Sequence, residues 1–511
     1  MSAGKPAVPA PGAQPPPGAG PGFAGLTPHG ARRRFATVTF LFWLPAGLSL
    51  ACQVLLLRER GLSLAAVAAL FAVHSCTVAA LELPTGGLSD VLGRRPVLVA
   101  AGLLNLTALL LVALGGTLWA LVPAMLAMGA GRALSSGPAE AWYVDTAHAL
   151  DGPGAELRTG LARATTASAT ALALGTLVGG GLPWLLSGPA AGVGDALGAA
   201  TGDRVLPLSV PALLGAAVAV GFIGYVLTAL AEPPRPRVTA REVLRGVGPT
   251  MLAGLRLGGR DALVRRLFLT AAACGGGLAV VELLTPPRAA ALTGSPASGA
   301  LLFAGLACAG FLCTALGGRC APLVARLAGS GERAVLLSLA VSAAGLAVLT
   351  VTPLWSGAPA LVLAAAGYGA FYLGLGSAGP SENELLHRRV DSAGRATALS
   401  VQSLALQAAG AAAGVVAGAL PPGPWAWLPG AAALLLGALL WIRRAAPLPG
   451  GGVPAAGPAV SGPASVPASG PVTAPAGNPV PPPAGAPRPG PPGGEGGGPV
   501  TVPESARPPV G

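Results

Sequence analysis

Charge is scarce in this chain. Only 10% of its 511 residues are Asp, Glu, Lys or Arg, 52% are hydrophobic, and the mean hydropathy is +0.67. So little polar surface cannot coat a soluble globule of this size, and a membrane protein is implied. Lysine is almost missing. Of the 31 basic residues only Lys5 is a lysine, a bias that, with the abundance of Ala and Gly, points to a GC-rich genome rather than to a mechanism.

The six cysteines are Cys52, Cys76, Cys274, Cys308, Cys313 and Cys320. They fall in or beside apolar runs with no CxxC pair and no His at ligand spacing, so neither a disulfide nor a metal is expected. No GxxxxGK[ST] motif occurs, and no nucleophile, base or metal cluster gathers anywhere, so the sequence implies no enzyme and no cofactor. The formal charge of +12 would suit a nucleic acid if it lined one face. The basic residues instead lie between apolar segments, which fits membrane topology and no nucleic-acid partner.

A membrane-spanning helix needs about 20 mostly apolar residues. Twelve such runs occur, at 36–57, 62–89, 96–115, 118–146, 160–187, 206–231, 263–285, 298–318, 333–352, 357–384, 396–420 and 424–443. The expected fold is all-α and integral to the lipid bilayer, with twelve transmembrane helices in two six-helix bundles. A disordered arm (1–34) precedes the first bundle (35–231), a cytoplasmic linker (232–262) leads to the second (263–445), and a disordered Pro/Gly-rich tail (446–511) follows.

The first run is too long for a secretory signal and lacks its cleavage site, so it reads as an uncleaved helix behind Arg32 to Arg34. Short cytoplasmic loops hold the excess of arginine. Loops on one side carry Arg94 and Arg95, Arg158, Arg235 to Arg266, Arg319, Arg326 and Arg333, Arg388, Arg389 and Arg395, and Arg443 and Arg444, against Arg58, Arg60, Arg204 and Arg288 on the other. Both termini are therefore expected in the cytoplasm, in a multi-pass protein of the cell membrane.

The stretch Gly86 to Leu98, GGLSDVLGRRPVL, joins the second and third runs. Its glycines allow close helix approach, and Asp90, Arg94 and Arg95 cluster where the apolar runs meet water. This stretch resembles the signature of the major facilitator superfamily, Gly-x-Leu-x-Asp-x-x-Gly-Arg-Arg/Lys-x-x-Leu. Gly86, Leu88, Asp90, Gly93, Arg94, Arg95 and Leu98 fill the pattern, while Val91 replaces the basic residue that often follows the Asp. The resemblance implies a cytoplasmic latch of Asp90, Arg94 and Asp145, with Gly86, Gly93 and Arg95 shaping the gate.

Two further segments resemble the drug:proton antiporter branch, of actinobacterial type. Gly131 to Gly137 looks like its helix 4 motif with the Gly five residues after Arg132 instead of four, and Gly175-Thr-Leu-Val-Gly179-Gly180 looks like its helix 5 motif without the Pro. Gly175, Gly179 and Gly180, with Gly410 and Gly414 six helices later, are spaced for close packing in lipid. Ser-Gly-Pro-Ala-Glu at 136–140 and Ala-Gly-Pro-Ser-Glu at 378–382 suggest two parallel halves.

Each intramembrane charge costs about 2.5 to 3.5 kcal/mol, so the few present are candidates for function. Arg132, Ser136 and Glu140 form a polar stripe on helix 4, in which Arg132 couples protons or is a structural pair for Glu140 or Glu82. Glu82 lies about 12 Å from the charged loop and is either a proton carrier or a helix-to-helix hydrogen bond. Glu282, at the outer end of helix 7 near Pro286 and Pro287, is a headgroup residue by preference and a cavity carboxylate otherwise. His74 reads as a hydrogen-bonded structural residue.

The sequence thus points to a monomeric alternating-access transporter that couples protons to the efflux of a small amphipathic substrate. Symport of a nutrient and a non-transporting sensor are the alternatives.

Overall fold

In lipid every backbone N–H and C=O must be satisfied within the chain, so the apolar runs fold as helices. A computed structural model describes residues 26–86, 88–232, 252, 256–390 and 392–442, without the side chains of 83, 84, 86, 90 and 392–396. The first half comprises α1 (Pro28–Leu50), α2 (Gln53–Glu59), α3 (Leu64–Gly86), α4 (Leu88–Leu92), α5 (Arg94–Leu114), α6 (Leu118–Ser135), α7 (Pro138–Asp151), α8 (Arg158–Ser187), α9 (Ala191–Thr201) and α10 (Val210–Ala229). The second comprises α11 (Ala262–Thr293), α12 (Pro296–Ala328), α13 (Gly331–Val351), α14 (Gly357–Arg389), α15 (Ser392–Ala419) and α16 (Leu428–Leu439).

Ten spans among the described residues are long and apolar enough to cross a membrane, with α6 and α7 counted as one. The pair α1 and α2, bent by 43°, makes an eleventh, and Pro424–Leu439 is a shorter apolar helix in twelfth place. The spans alternate in direction. One face of the molecule, the terminal face, therefore carries the start of α1 and the end of α16, and the other is the far face.

Three expectations need correction. The arm does not reach residue 34, because Thr27 accepts the Gly30 N–H at 3.1 Å and Pro28 opens α1, which puts Arg32 to Arg34 inside the helix. The run 118–146 is two helices, broken at Gly137, whose φ of +97° suits a residue without Cβ. The run 263–285 continues through Pro286 and Pro287 to Thr293, since a membrane helix tolerates prolines when other groups take the freed carbonyls. Beyond these expectations, the connection after α8 holds a helix, α9. Residues 1–25 of the arm, 233–251 and 253–255 of the linker, and the tail lie outside the described residues.

Glycines set the helix crossings. A Cβ on Gly47 would stand 2.7 Å from the Leu172 carbonyl oxygen, and one on Gly179 would collide with that of Leu48, so α1 and α8 touch backbone to backbone. In the second half Gly275 of α11 meets the Leu406 carbonyl of α15 in the same way. The halves meet where Gly180 of α8 abuts Ala300 of α12 and where Gly418 of α15 abuts Leu64 and Ala68 of α3, both near the far face.

Arginines finish helix ends. Arg60 donates to the carbonyls of Val112 (2.7 Å), Ala113 and Gly115 at the end of α5, and Arg288 donates to those of Thr352 and Trp355 (2.7 Å) after α13. Arg288 stands 228 residues after Arg60, as Gly275 does after Gly47. The two halves repeat both devices in one register.

At the terminal face Asp261 caps α11, accepting the N–H groups of Leu263 and Val264 (2.8 and 3.1 Å) and Arg389 Nε at 2.5 Å. Burial raises the carboxyl pKa, but the Arg389 hydrogen bond, the two backbone N–H groups and the guanidinium charge outweigh it and hold the pKa below the ordinary value.

Two outcomes are expected in thermal unfolding of the detergent-solubilised protein. Gly179→Ala costs about 1–3 kcal/mol through overpacking, while Gly181→Ala, which meets no atom within 4 Å, leaves the midpoint unchanged or raises it; equal shifts would contradict the crossing. Because the folded Asp261 pKa is depressed, its contribution is present above the unfolded-state pKa and is lost as pH falls through the folded one. Asp261→Asn therefore lowers the midpoint at pH 7, and a gap that did not narrow on acidification through the carboxylate range would exclude this.

Candidate functional site

Three adjoining cavities run through the middle of the bundle. The first, about 490 Å³, lies between α1, α6, α7 and α8 and carries Arg132, Ser135, Ser136 and Glu140 among its lining. The second, about 440 Å³, draws on both halves, with Trp43, Gln53, His74, Asn105 and Arg132 facing Glu282, Phe311 and Gln407. The third, about 210 Å³, shares Gln53, His74 and Glu282 and reaches Gly410 and Gly414.

Arg132 links the first two. It occupies the last turn of α6, not the middle of a long helix, and its guanidinium carbon lies 4.8 Å from the centroid of the Trp43 ring, a cation–π contact. The stripe Arg132, Ser136, Glu140 is thus no continuous helix face. The break at Gly137 separates its members, and the cavity brings them together again.

Glu82, half-buried near the terminal end of α3, accepts the Ser403 hydroxyl of α15 at 2.6 Å, a hydrogen bond between the halves. Glu282, preferred above as a headgroup residue, lines the second and third cavities. Since α11 continues to Thr293, it lies about 16 Å inside the far end of its helix, with its side chain open to the cavity. His74, read as a hydrogen-bonded residue, has its Nδ1 buried with no partner among the described residues.

The loop residues separate into two groups. Arg94, buried, donates to the Ser89 carbonyl at 2.9 Å and pairs with Asp145 of α7 at 3.0 Å, while Gly93 turns the chain at φ +106°. Arg95 turns elsewhere: its N–H meets Glu232 at 2.8 Å and its guanidinium donates to the Leu227 carbonyl at the end of α10. Gly86 ends α3. The Asp90 side chain lies outside the described residues, so the third member of the expected latch is not placed.

Trp142 and Tyr143 hold α7 in position. Trp142 Nε1 donates to the Ala231 carbonyl at 2.6 Å, and Tyr143 stacks on Phe35 of α1 with centroids 5.0 Å apart. The repeat noticed at 378–382 does not repeat this geometry, because Gly379 and Pro380 stay inside the unbroken α14 and Glu382 is buried.

No family model matches the chain, and a search of curated proteins finds no match. Solved structures are similar. The nucleoside transporter NupG aligns with a TM-score of 0.59 at 14% identity, over 80% of this chain and 98% of that one. A bacterial homologue of the human lysosomal transporter Spinster, in an inward-facing and unoccupied conformation, gives 0.62 at 14%, over 81% and 96%. The chain has the major facilitator fold. A POT family transporter in complex with 5-aminolevulinic acid adds a third likeness, 0.58 at 13%, over 80% and 94%.

Within this major facilitator fold the sequence missed the uncharged lining. Gln53, Asn105 and Gln407 are lone amides in apolar runs, and applying to amides the rule used for charges would have found them. Trp43 and Phe311 give no such signal.

The loop geometry makes one prediction. Arg94→Gln removes a buried, hydrogen-bonded charge and costs about 1–3 kcal/mol, whereas Asp145→Asn, a third exposed, lowers the unfolding midpoint less because water replaces its partner. A larger loss for Asp145→Asn would show that the pair is not organised around Arg94.

Proposed function

We propose that this chain is a secondary active transporter that works by alternating access and exports small amphipathic compounds in exchange for protons. The observation that carries the reading is a central cavity walled by both halves, in which Arg132 and Glu282 stand where lipid would reject them. Cavities of a few hundred Å³, lined by aromatic rings and a few polar groups, suit a small molecule. Trp43, Phe42 and Phe311 offer faces to an apolar body, and Gln53, Asn105 and Gln407 offer amides to its polar end. The three similar structures are of transporters, which favours this reading over an enzyme.

In the proposed cycle Glu82, Glu282 and Arg132 handle the proton, with Glu140 at the mouth of the first cavity. Glu82 joins α3 to α15 through Ser403, so protonation there would change a bond between the halves. The far-face contacts of Gly180 and Gly418 would close one side. The Arg94–Asp145 pair lies wholly within the first half and would act on the gate by fixing the loop, not by tying the halves together. Each charge moved is worth about 2.3 kcal/mol per 100 mV, enough to drive a gradient without ATP. The excess of arginine assigns the terminal face to the cytoplasm of a cell membrane, and the protein is proposed to act as a monomer.

The test is proton flux in liposomes. With a pH-sensitive dye inside and an imposed gradient, addition of a hydrophobic amine or a dye substrate is expected to release protons with the wild type. Glu82→Gln, Glu282→Gln and Arg132→Ala should each lower that flux at least tenfold, while Glu384→Gln, on the exposed end of α14, retains it. Undiminished flux in all three variants would end the proton-coupling assignment, and proton entry accompanying substrate uptake would reverse the direction.

A further inference from the structure

The pair α1 and α8 has two working faces. Through Phe35 and Thr39 on one helix and Leu161 and Thr165 on the other it lines the first cavity. On its opposite side the same pair leaves a groove of about 710 Å³ that has no part in the transport path.

That groove is built on helical spacing. On α1 it takes His29, Arg33, Ala36 and Phe40, and on α8 it takes a stripe from Arg158 through Ala162 and Thr166 to Thr170. Charge is graded along it. His29, Arg33, Arg158 and Arg163 lie toward the end at the terminal face, with Ala162 between the last two, and beyond them the apolar walls are Ala36, Phe40 and Ala167. The hydroxyls of Thr166 and Thr170 donate to the carbonyls one turn back, at 3.0 and 2.8 Å, so they ask nothing of an occupant. From Arg158 to Thr170 the stripe rises about 18 Å, close to the ~15 Å of one hydrocarbon leaflet.

The arginines in the groove also differ from their neighbours. Arg32 reaches Glu156 at 3.4 Å and Arg34 donates to the Ala229 carbonyl at 2.6 Å, but Arg33 and Arg163 are exposed, and their side chains make no hydrogen bond or ion pair among the described residues. Glu156, the acid beside this end, already takes the Thr159 N–H and pairs with Arg32.

We propose that an anionic phospholipid docks in this groove, its phosphate held by Arg33, Arg158 and Arg163 and one acyl chain lying along Ala36, Phe40 and Ala167. Guanidinium forks match phosphate oxygens, and basic pockets between helices at the membrane boundary select anionic headgroups. A free phosphate would use the charged end and leave the apolar length empty; the gradation commits the site to a lipid. The proposal rests on the membrane-spanning fold and not on the transport cycle. A lipid seated there would brace the terminal ends of α1 and α8 from outside, opposite the cavity.

The experiment uses the full chain, delipidated in detergent, with no substrate or gradient. Phosphatidylglycerol, phosphatidylcholine and inorganic phosphate are added separately, and thermal midpoint and native mass are read. Phosphatidylglycerol is expected to raise the midpoint by several degrees and to leave a one-lipid adduct, and the other two are not. The triple variant Arg33→Gln/Arg158→Gln/Arg163→Gln should weaken the lipid's effect at least tenfold. So should Ala167→Trp, which fills the apolar length with every arginine in place. Arg326→Gln, at the terminal end of α12, should bind as the wild type does. Equal effects of phosphatidylcholine, full effect of phosphate alone, retained binding in Ala167→Trp, or equal loss in Arg326→Gln would each overturn the site. The wild-type lipid comparison decides even if the triple variant fails to fold.

Discussion

A helix that ends in or near oil leaves carbonyls with no donor, and much of this structure follows from how they are satisfied. Arg60 covers the last turn of α5, Arg288 covers the end of α13, and Arg34 and Arg95 both serve the end of α10. Trp142 adds a fifth donor at Ala231. Arginine suits the task because one planar fork reaches several carbonyls, as Arg60 does with Val112, Ala113 and Gly115. An ammonium would offer a single point. Where proline frees a carbonyl within a helix the same rule holds: Pro183 leaves the Gly179 oxygen without its backbone donor, and the Cys52 thiol takes it at 2.9 Å.

The capping arginines change how charge along this chain is understood. Counting Arg94 and Arg95 together as loop charge describes topology but not geometry, because one reaches α7 and the other α10. Arg60 and Arg288, counted as rare charges on the far side, are structural pins at matching positions of the two halves. The Arg60 guanidinium is in fact held by five groups, including the Ser209 hydroxyl and the Arg204 carbonyl. Sidedness and structural work are carried by the same residue type, and only contacts distinguish them.

Twelve spans and the charged loop were legible in the sequence because each depends on local signals: length, hydropathy and a short pattern of Gly, Asp and Arg. The errors have a common cause. Hydropathy is averaged over about five turns, so one Gly-Pro step at 137–138 vanishes inside an apolar run, and a Pro-Pro step at 286–287 reads as a helix end although the apolar residues continue. The second error displaced Glu282 from the cavity to the headgroups. The partner of Glu82 was out of reach for another reason, since Ser403 is 321 residues away and nothing local marks it.

The glycine contacts divide the structure into parts that hold and parts that can move. Between α1 and α8, and between α11 and α15, backbones meet with no side chain between them, and such contacts have no rotamer through which to yield. Each pair therefore moves as one body. Freedom remains where the halves meet, along α8 with α12 and α3 with α15. There the far-side contacts are again glycine on small residues, whereas toward the terminal face the bond is Ser403 to Glu82, two side chains that can part. Helix α8 belongs to both kinds of contact: Gly175 and Gly179 fix it to α1, and Gly180, on the next residue, seats it on Ala300 of the other half. In the proposed cycle a tilt of one half against the other would turn on the far-side contacts of Gly180 and Gly418, with the terminal side as the end that opens.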